Sequence, residues 1–235
     1  MTARPIPDNP QRDFFENMGR RSLVESDFFD APGSKESAGV RASCGGAGAT
    51  IGGAATQADH PGTWAMFTGT TAIGRCFVIS GAFTSWRIGA GGITRCGVWM
   101  STGAVLSVPA QRYVQRAGMF AVVLPNTLQT GIGFEYQDDQ NGGRWQALCE
   151  DGIGETSIDT GVVVAANTWY YFEWEANAAG TSVEFFIDSV SVGTVAANIP
   201  TGQTMFFNTH IMKLTGLLNT ACILDAYYVY QEVTR

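Results

Sequence analysis

Apolar and polar positions alternate along much of this chain, most clearly in residues 169–195. The first part of this stretch has two faces, one with Tyr170, Phe172 and Trp174, the other with Tyr171, Glu173 and Glu175. A period of two is typical of a half-buried strand. Turn residues at 177–180 and the corner Asp188-Ser189 divide the rest. The sequence therefore predicts three consecutive antiparallel strands here, with the first three rings facing inward.

The same alternation, punctuated by turns rich in Gly, Asn and Pro, continues from residue 27 to the end of the chain. The predicted strands are 27–29, 39–43, 48–54, 64–68, 73–79, 92–100, 115–123, 131–137, 144–149, 156–160, 168–176, 182–188, 190–196, 203–214 and 221–232. Asn141-Gly142 is a strong hairpin signal, and no amphipathic helix is expected after residue 30. We expect an all-β protein with one sandwich domain at 26–235.

Residues 1–25 are expected to form an N-terminal arm. Its start is too polar and rich in proline to pack as a strand, and the segment that follows suits a short helix or an extended arm. Phe14 and Phe15 need a surface to bury them, either the chain's own domain or a neighbouring subunit. With Arg20 and Arg21 they are the candidate docking residues of the arm.

Composition narrows the classes of partner. The net charge of -7 argues against a nucleic-acid backbone. Only 15% of residues are charged, against about 25% in typical domains, which suits a surface covered by neighbours or one rich in uncharged polar residues. No apolar run approaches the ~20 residues of a membrane span, and residues 1–9 lack the apolar core of a secretory signal. We expect neither nucleic acid nor membrane as a partner.

The cysteines give no sign of a metal site or a disulfide framework. They are odd in number, widely scattered, and form neither a CxxC pair nor zinc spacing, at positions 44, 76, 96, 149 and 222. This pattern predicts free, largely buried thiols in a protein made in a reducing cytoplasm.

Four strings carry a resemblance to a known family of folds. They are A-D-H-P-G-T-W-A-M-F-T-G-T-T-A-I-G-R (58–75), F-E-Y (134–136), N-T-W-Y-Y-F-E-W-E with G-T-S-V-E-F-F-I-D (167–188), and L-D-A-Y-Y-V-Y (224–230). Residues 26–232 resemble concanavalin A/laminin-G-like jelly rolls, and more narrowly those in structural proteins of tailed bacteriophages. The resemblance implies an antiparallel jelly-roll β-sandwich whose two sheets pack face to face.

The same resemblance implies a non-enzymatic structural component of a phage virion. A capsid decoration, cement or head-fibre protein attached through its arm is the form we expect. Its partners would be other virion proteins, such as the major capsid or a tail protein, and it would form a homo-oligomer, a trimer being one form. It would reside in the virion after assembly in the host bacterial cytoplasm. The alternative is a carbohydrate-binding module of a phage tail or host-surface-binding protein, with a glycan as its ligand.

Candidate catalytic and metal-binding groups are sparse. Glu173 and Glu175 share a strand face, but they are interpreted as surface charge, and the E-x-D-x-x-E motif of laminarinase-type enzymes is absent, so an endo-acting glycanase is the least supported alternative. Asp138, Asp139 and Asn141 offer oxygen ligands of the kind calcium takes, without a D-x-D-x-D ladder, and are interpreted as a hairpin tip. We expect no catalytic residue, cofactor or metal.

The six tryptophans are the remaining candidates for ligand contact. Most lie at strand centres, where filling the core is the usual role of a large ring. Trp86 and Trp145 lie close to turn signals and are the candidate ligand-contact residues. His60 is interpreted as a loop residue, and His210 as a satisfied or partly buried side chain within an apolar strand.

Overall fold

The computed structural model describes residues 21–27, 40–53, 60, 63–80, 86–121 and 130–232. These residues form fifteen strands: β1 (Arg21–Asp27), β2 (Val40–Gly45), β3 (Thr50–Gly53), β4 (Trp64–Phe67), β5 (Arg75–Ser80), β6 (Thr94–Thr102), β7 (Tyr113–Phe120), β8 (Thr130–Tyr136), β9 (Arg144–Asp151), β10 (Glu155–Val163), β11 (Trp169–Ala176), β12 (Val183–Ile187), β13 (Val190–Val195), β14 (Phe206–Lys213) and β15 (Ala221–Glu232). Within this part of the chain, no helix has the length and hydropathy to cross a membrane. The all-β prediction is confirmed.

The strands form two antiparallel sheets that pack face to face. Sheet A has the order β13-β12-β11-β6-β15-β4-β3, and sheet B has the order β10-β9-β8-β7-β14-β5-β2. The long strand β15 pairs with β6 on one side, while its other side is shared by β4 near the start and β1 near the end. The predicted run of three consecutive strands in 169–195 is confirmed as β11, β12 and β13.

Strand β1 is the main departure from the predicted elements. The sequence predicts an arm at 1–25 and a short strand at 27–29, whereas β1 pairs along β15 from Arg21 opposite Glu232 to Asp27 opposite Ala226. The predicted boundary between residues 25 and 26 therefore falls inside a strand of sheet A. The local sequence pattern did not predict this strand, because its pairing partner β15 lies at the other end of the chain. Phe14, Phe15 and Arg20 lie outside the described residues.

Aromatic rings from both sheets fill the core. Tyr170, Phe172 and Trp174 are buried on the inner face of sheet A, as predicted. The ring of Phe172 lies 4.6 Å from that of Trp145 and 4.8 Å from that of Phe134, both on sheet B. Large rings bury about 150–250 Å² each and prefer such tilted contacts. This inter-sheet cluster fixes which face of β11 points inward.

Two tight turns explain why neighbouring strands pair in register. Asp188 and Ser189 have φ values of 52° and 66°, as a two-residue type I′ hairpin requires, and they join β12 to β13. Asn141, Gly142 and Gly143 also have positive φ, at the end of the hairpin between β8 and β9. Both turns fall where the sequence predicts them.

The cysteines divide into one bonded pair and three buried thiols. Cys44 of β2 and Cys76 of β5 lie directly opposite each other and form a disulfide. The prediction of free thiols is therefore wrong for this pair, because the spacing of cysteines does not reveal strand register. Cys96, Cys149 and Cys222 are free and buried, as predicted. Burial raises the pKa of each of these three thiols.

Candidate functional site

The outer face of sheet A carries a cluster of rings around a carboxylate. Gly97 of β6 lies between Glu173 of β11 and Tyr228 of β15, and two residues further along, Trp99 lies opposite Tyr171. These positions alternate with core residues, so their side chains point away from the core. We call this surface the aromatic–acid face and define it by His60, Trp99, Trp169, Tyr171, Glu173, Asp225 and Tyr228.

Glu173 is held at the centre of the aromatic–acid face. The hydroxyls of Tyr171 and Tyr228 both donate to its Oε2 atom, each at 2.7 Å. Glu173 does point away from the inner rings, but it is only 6% exposed, so its interpretation as solvent-facing charge is wrong. Burial and the neighbouring Glu173 carboxylate raise the pKa of Tyr171 and Tyr228. Both phenols therefore remain protonated donors at neutral pH.

Gly97 makes room for the two tyrosines to converge. A Cβ atom at this position would lie 2.2 Å from Cε1 of Tyr228 and 2.9 Å from the hydroxyl oxygen of Tyr171. The first distance is far inside van der Waals contact, so any larger residue must displace the Tyr228 ring. A glycine inside a strand often marks such a close approach. Here it permits the arrangement around Glu173.

A histidine–aspartate pair lies towards one end of the aromatic–acid face. Nδ1 of His60 lies 2.6 Å from Oδ2 of Asp225, and the imidazole stacks on Trp169 with 3.8 Å between ring centroids. The ring centroid of Trp99 lies 5.8 Å from that of the imidazole and 5.0 Å from that of Tyr171. Asp225 occupies a register shift in β15, the kind of bulge that redirects a side chain. His60 is thus part of a continuous row of rings.

The opposite end of the same sheet face is closed by an ion pair. Nε of Arg95 lies 2.5 Å from Oε2 of Glu175, and the two residues are direct cross-strand partners. Glu175 therefore faces outward as predicted, and the pair neutralises its charge locally.

The outer face of sheet B contains a buried ion network. Arg116 of β7 pairs with Glu135 and with Glu150, the latter through Nη2 at 3.2 Å from Oε1. Burial by itself lowers the pKa of Arg116, but the two carboxylates outweigh this and raise it above its ordinary value. Arg116 therefore lies between two carboxylates and pairs with both of them.

His210 lies beside this network on β14. The residue is 1% exposed, more buried than the expected satisfied or partly buried side chain, and among the described residues neither ring nitrogen has a hydrogen-bond partner. Burial and the nearby Arg116 lower the pKa of His210 to about 3. The imidazole is therefore neutral at physiological pH.

The two tryptophans singled out by the sequence are buried. Trp86 is 3% and Trp145 is 0% exposed, and both belong to the core between the sheets. Their ligand contact remains a prediction, but neither ring presents an open surface. The tryptophans on the outer face of sheet A are Trp99 and Trp169, both half-buried.

The acidic hairpin tip is organised by an arginine. Nε of Arg112 donates to Oδ1 of Asp138 at 3.0 Å, and Nη1 of Arg112 lies 2.7 Å from Oδ2 of Asp139. Ser107 also donates to Asp138, at 2.6 Å. Burial raises the pKa of Asp138, but these two donors more than offset it and hold the pKa below its usual value. In the described ranges, no group of three or more His, Cys, Asp or Glu residues is arranged to hold a metal ion.

Sequence reasoning missed most of the aromatic–acid face. The alternation shows that Tyr171 and Glu173 face away from the core, but it does not show which residues of β6 and β15 lie beside them. Gly97 was the available signal, because a glycine between bulky strand residues indicates close approach. His60 and Asp225 meet across most of the chain, and nothing in their local sequence pairs them.

Comparison with known proteins identifies a sequence family and solved structures of similar fold. The family model described as SO2946-like, C-terminal domain, matches residues 59–223. No curated protein matches the sequence. The protein of unknown function SO2946 from Shewanella oneidensis MR-1 superposes with a TM-score of 0.65 at 12% identity, covering 100% of this chain and 99% of that chain.

Two further solved structures share the architecture. The endo-1,3-β-glucanase from Streptomyces sioyaensis has a TM-score of 0.61 at 14% identity, covering 92% of this chain and 98% of that chain. The carbohydrate recognition domain of Emp46p, in its potassium-bound form, has a TM-score of 0.53 at 9% identity, covering 77% and 88%. At these identities the likeness shows the fold alone. The predicted concanavalin A-like jelly-roll β-sandwich is confirmed.

Proposed function

This chain belongs to the family of SO2946-like C-terminal domains, and from its aromatic–acid face we propose that it is a non-enzymatic carbohydrate-binding domain. The observation that carries the proposal is the continuous row of rings beside a fixed carboxylate. Trp169, His60, Trp99 and Tyr171 follow one another with 3.8, 5.8 and 5.0 Å between successive ring centroids. Several neighbouring rings provide a larger aromatic surface for a sugar chain than a single ring would.

The chemistry of this face suits a sugar ring. The C–H face of a pyranose is apolar and stacks on an aromatic ring, while its hydroxyls donate to carboxylates. Trp99 and Tyr171 offer the rings, and the carboxylates of Glu173 and Asp225, each residue 6% exposed, lie beside them as acceptors. Because tyrosyl and histidyl partners already hold these carboxylates in place, little side-chain freedom is lost on binding.

The partners of the acidic groups support binding without hydrolysis. A glycosidase needs one carboxylic acid to protonate the leaving oxygen and a second carboxylate to attack or to activate water. Four of the described outward carboxylates are instead paired with basic side chains, as Glu175–Arg95, Asp225–His60, Glu135–Arg116 and Glu150–Arg116. The Streptomyces neighbour is an endo-1,3-β-glucanase, so this fold does accommodate polysaccharide chemistry in another protein.

A glycan array followed by titration calorimetry tests the proposal. We expect Trp99→Ala to weaken binding at least ~10-fold, as the loss of a stacked ring would. Ile153→Ala is the matched control, because Ile153 is 91% exposed on the loop between β9 and β10. Absence of binding to every glycan, or equal binding by Trp99→Ala and the parent protein, would contradict the proposal. Release of reducing ends by the parent protein would show an enzyme instead.

A second candidate is a structural component of a tailed phage virion, as a capsid decoration, cement or head-fibre protein attached through its arm. An apolar tip favours it, since three adjoining loops expose Ile73, Val108, Leu217 and Leu218. Hydrogen bonds from Lys213 N to Gly74 O (2.9 Å) and from Leu218 N to Gln111 Oε1 (2.8 Å) hold these loops together.

Exposed apolar groups at one end suit contact with a neighbouring virion protein or with other copies in a trimer. Copurification with phage particles at many copies tests this role. A chain that is absent from purified particles would rule it out.

A further inference from the structure

The charged groups around the ring row, formed by Trp169, His60, Trp99 and Tyr171, determine which charged ligands it attracts. On the aromatic–acid face and the cross-strand pair beside it, the described acidic side chains are Glu173, Glu175 and Asp225, and the basic ones are Arg95 and His60. The local net charge is therefore −2 with a neutral imidazole and −1 with a protonated one. Glu184 on β12 and Glu232 on β15 add further negative charge at the flanks.

The aromatic rings add to the negative electrostatic potential of this face. The faces of Trp and Tyr rings carry negative electrostatic potential and attract ammonium groups within about 6 Å. Trp99, Trp169 and Tyr171 are half-buried, and Glu173 is nearly buried. Charges in such positions are screened by salt less than charges on an open surface. An approaching ammonium group is therefore attracted, and a uronate carboxylate is repelled, even without direct contact to Glu173.

We infer that the ligand, given the proposed carbohydrate-binding function, is a glycan that carries free ammonium groups, as an amino sugar polymer does. The C–H face of each sugar stacks on the ring row. The ammonium group lies over the negative side of the face, towards Glu173 or Asp225. Neutral glycans make the stacking contacts alone, and glycans of uronic acids place like charges opposite these carboxylates.

Four hexasaccharides test the inference because they differ in charge on similar β-1,4-linked pyranose backbones. They are built from glucosamine, N-acetylglucosamine, glucose and glucuronate, and each is titrated calorimetrically at pH 6. We expect the glucosamine hexamer to bind at least ~10-fold more tightly than the glucose hexamer, and the glucuronate hexamer to bind most weakly. This preference is expected to shrink when the salt concentration rises tenfold.

Charge-removing variants locate the origin of the preference. Glu173→Gln and Asp225→Asn are each expected to reduce the ratio of glucosamine to glucose affinity by ~3–10-fold. Glu155→Gln is the matched control, since Glu155 is exposed on the outer face of sheet B and its removal changes the net charge equally. Circular dichroism verifies that each variant is folded.

The outcomes separate the inference from the proposed function. Tighter binding of the glucose or glucuronate hexamer overturns the inference, as does a ratio that neither Glu173→Gln nor Asp225→Asn lowers below the ratio of the control. Failure of all four hexamers to bind, in a protein that binds no other glycan, contradicts the proposed function itself.

Discussion

Gly97→Ala probes the arrangement at the centre of the aromatic–acid face with a single methyl group. The added Cβ would lie 2.2 Å from Cε1 of Tyr228 and 2.9 Å from the hydroxyl oxygen of Tyr171. The Tyr228 ring must therefore move, and its hydroxyl leaves the Oε2 atom of Glu173, to which it donates at 2.7 Å. The perturbation acts on packing and on a hydrogen bond to a charged group together.

The size of the effect follows from these two losses. Inserting a methyl group into a packed site costs ~2 kcal/mol, and losing one hydrogen bond to a charged group costs a further ~2 kcal/mol. Replacing Gly by Ala returns ~0.5 kcal/mol, because the unfolded chain loses conformational freedom. We therefore expect Gly97→Ala to lower the free energy of unfolding by about 3 to 4 kcal/mol, and to weaken glycan binding because the Tyr171 and Tyr228 rings are displaced.

Urea unfolding monitored by tryptophan fluorescence measures this change. Gly52→Ala is the matched control, because Gly52 lies in β3 of the same sheet and a Cβ there would meet no atom of the described residues within 4 Å. We expect the control to be as stable as the parent protein or slightly more stable. If Gly97→Ala unfolds at the same urea concentration as Gly52→Ala, the tyrosines are not tightly packed over position 97 and the reasoning is refuted.

Three further predictions concern the rest of the molecule. Replacing both Cys44 and Cys76 by Ser removes a cross-link of sequence separation 32, and we expect a loss of about 3.5 kcal/mol in urea unfolding, with a reductant affecting only the parent protein. The pKa of His210 is lowered from 6.5 to about 3, so on acidification the unfolded chain takes up the proton first. Between pH 7 and pH 5 the free energy of unfolding is therefore expected to decrease by about 2 kcal/mol, because only the unfolded chain binds the proton. In His210→Phe this part of the pH dependence should be absent. Trp145→Ala is expected to cost about 4 kcal/mol because the ring is fully buried, and a loss below 1 kcal/mol would contradict its role in the core.

The apolar periodicity of the sequence determined the strands and which face of each points inward. Tyr170, Phe172 and Trp174 alternate with polar neighbours, and the structure buries them as predicted. Turn chemistry was equally local, since Asp188-Ser189 and Asn141-Gly142 adopt the positive φ values that hairpins need. Both signals depend on residues close together in the chain, so no knowledge of the fold was required.

Only the tertiary structure determined which residues of different strands lie next to each other. The alternation within β11 predicts that Glu173 is a surface charge. In the structure it is a buried hydrogen-bond acceptor, because β15 brings Tyr228 next to it across Gly97. The pairs His60–Asp225 and Cys44–Cys76 likewise depend on strand register. Register and strand order are set by contacts between distant segments. The sequence therefore specified the two faces of the sandwich, and the pairing of strands created the site on one of them.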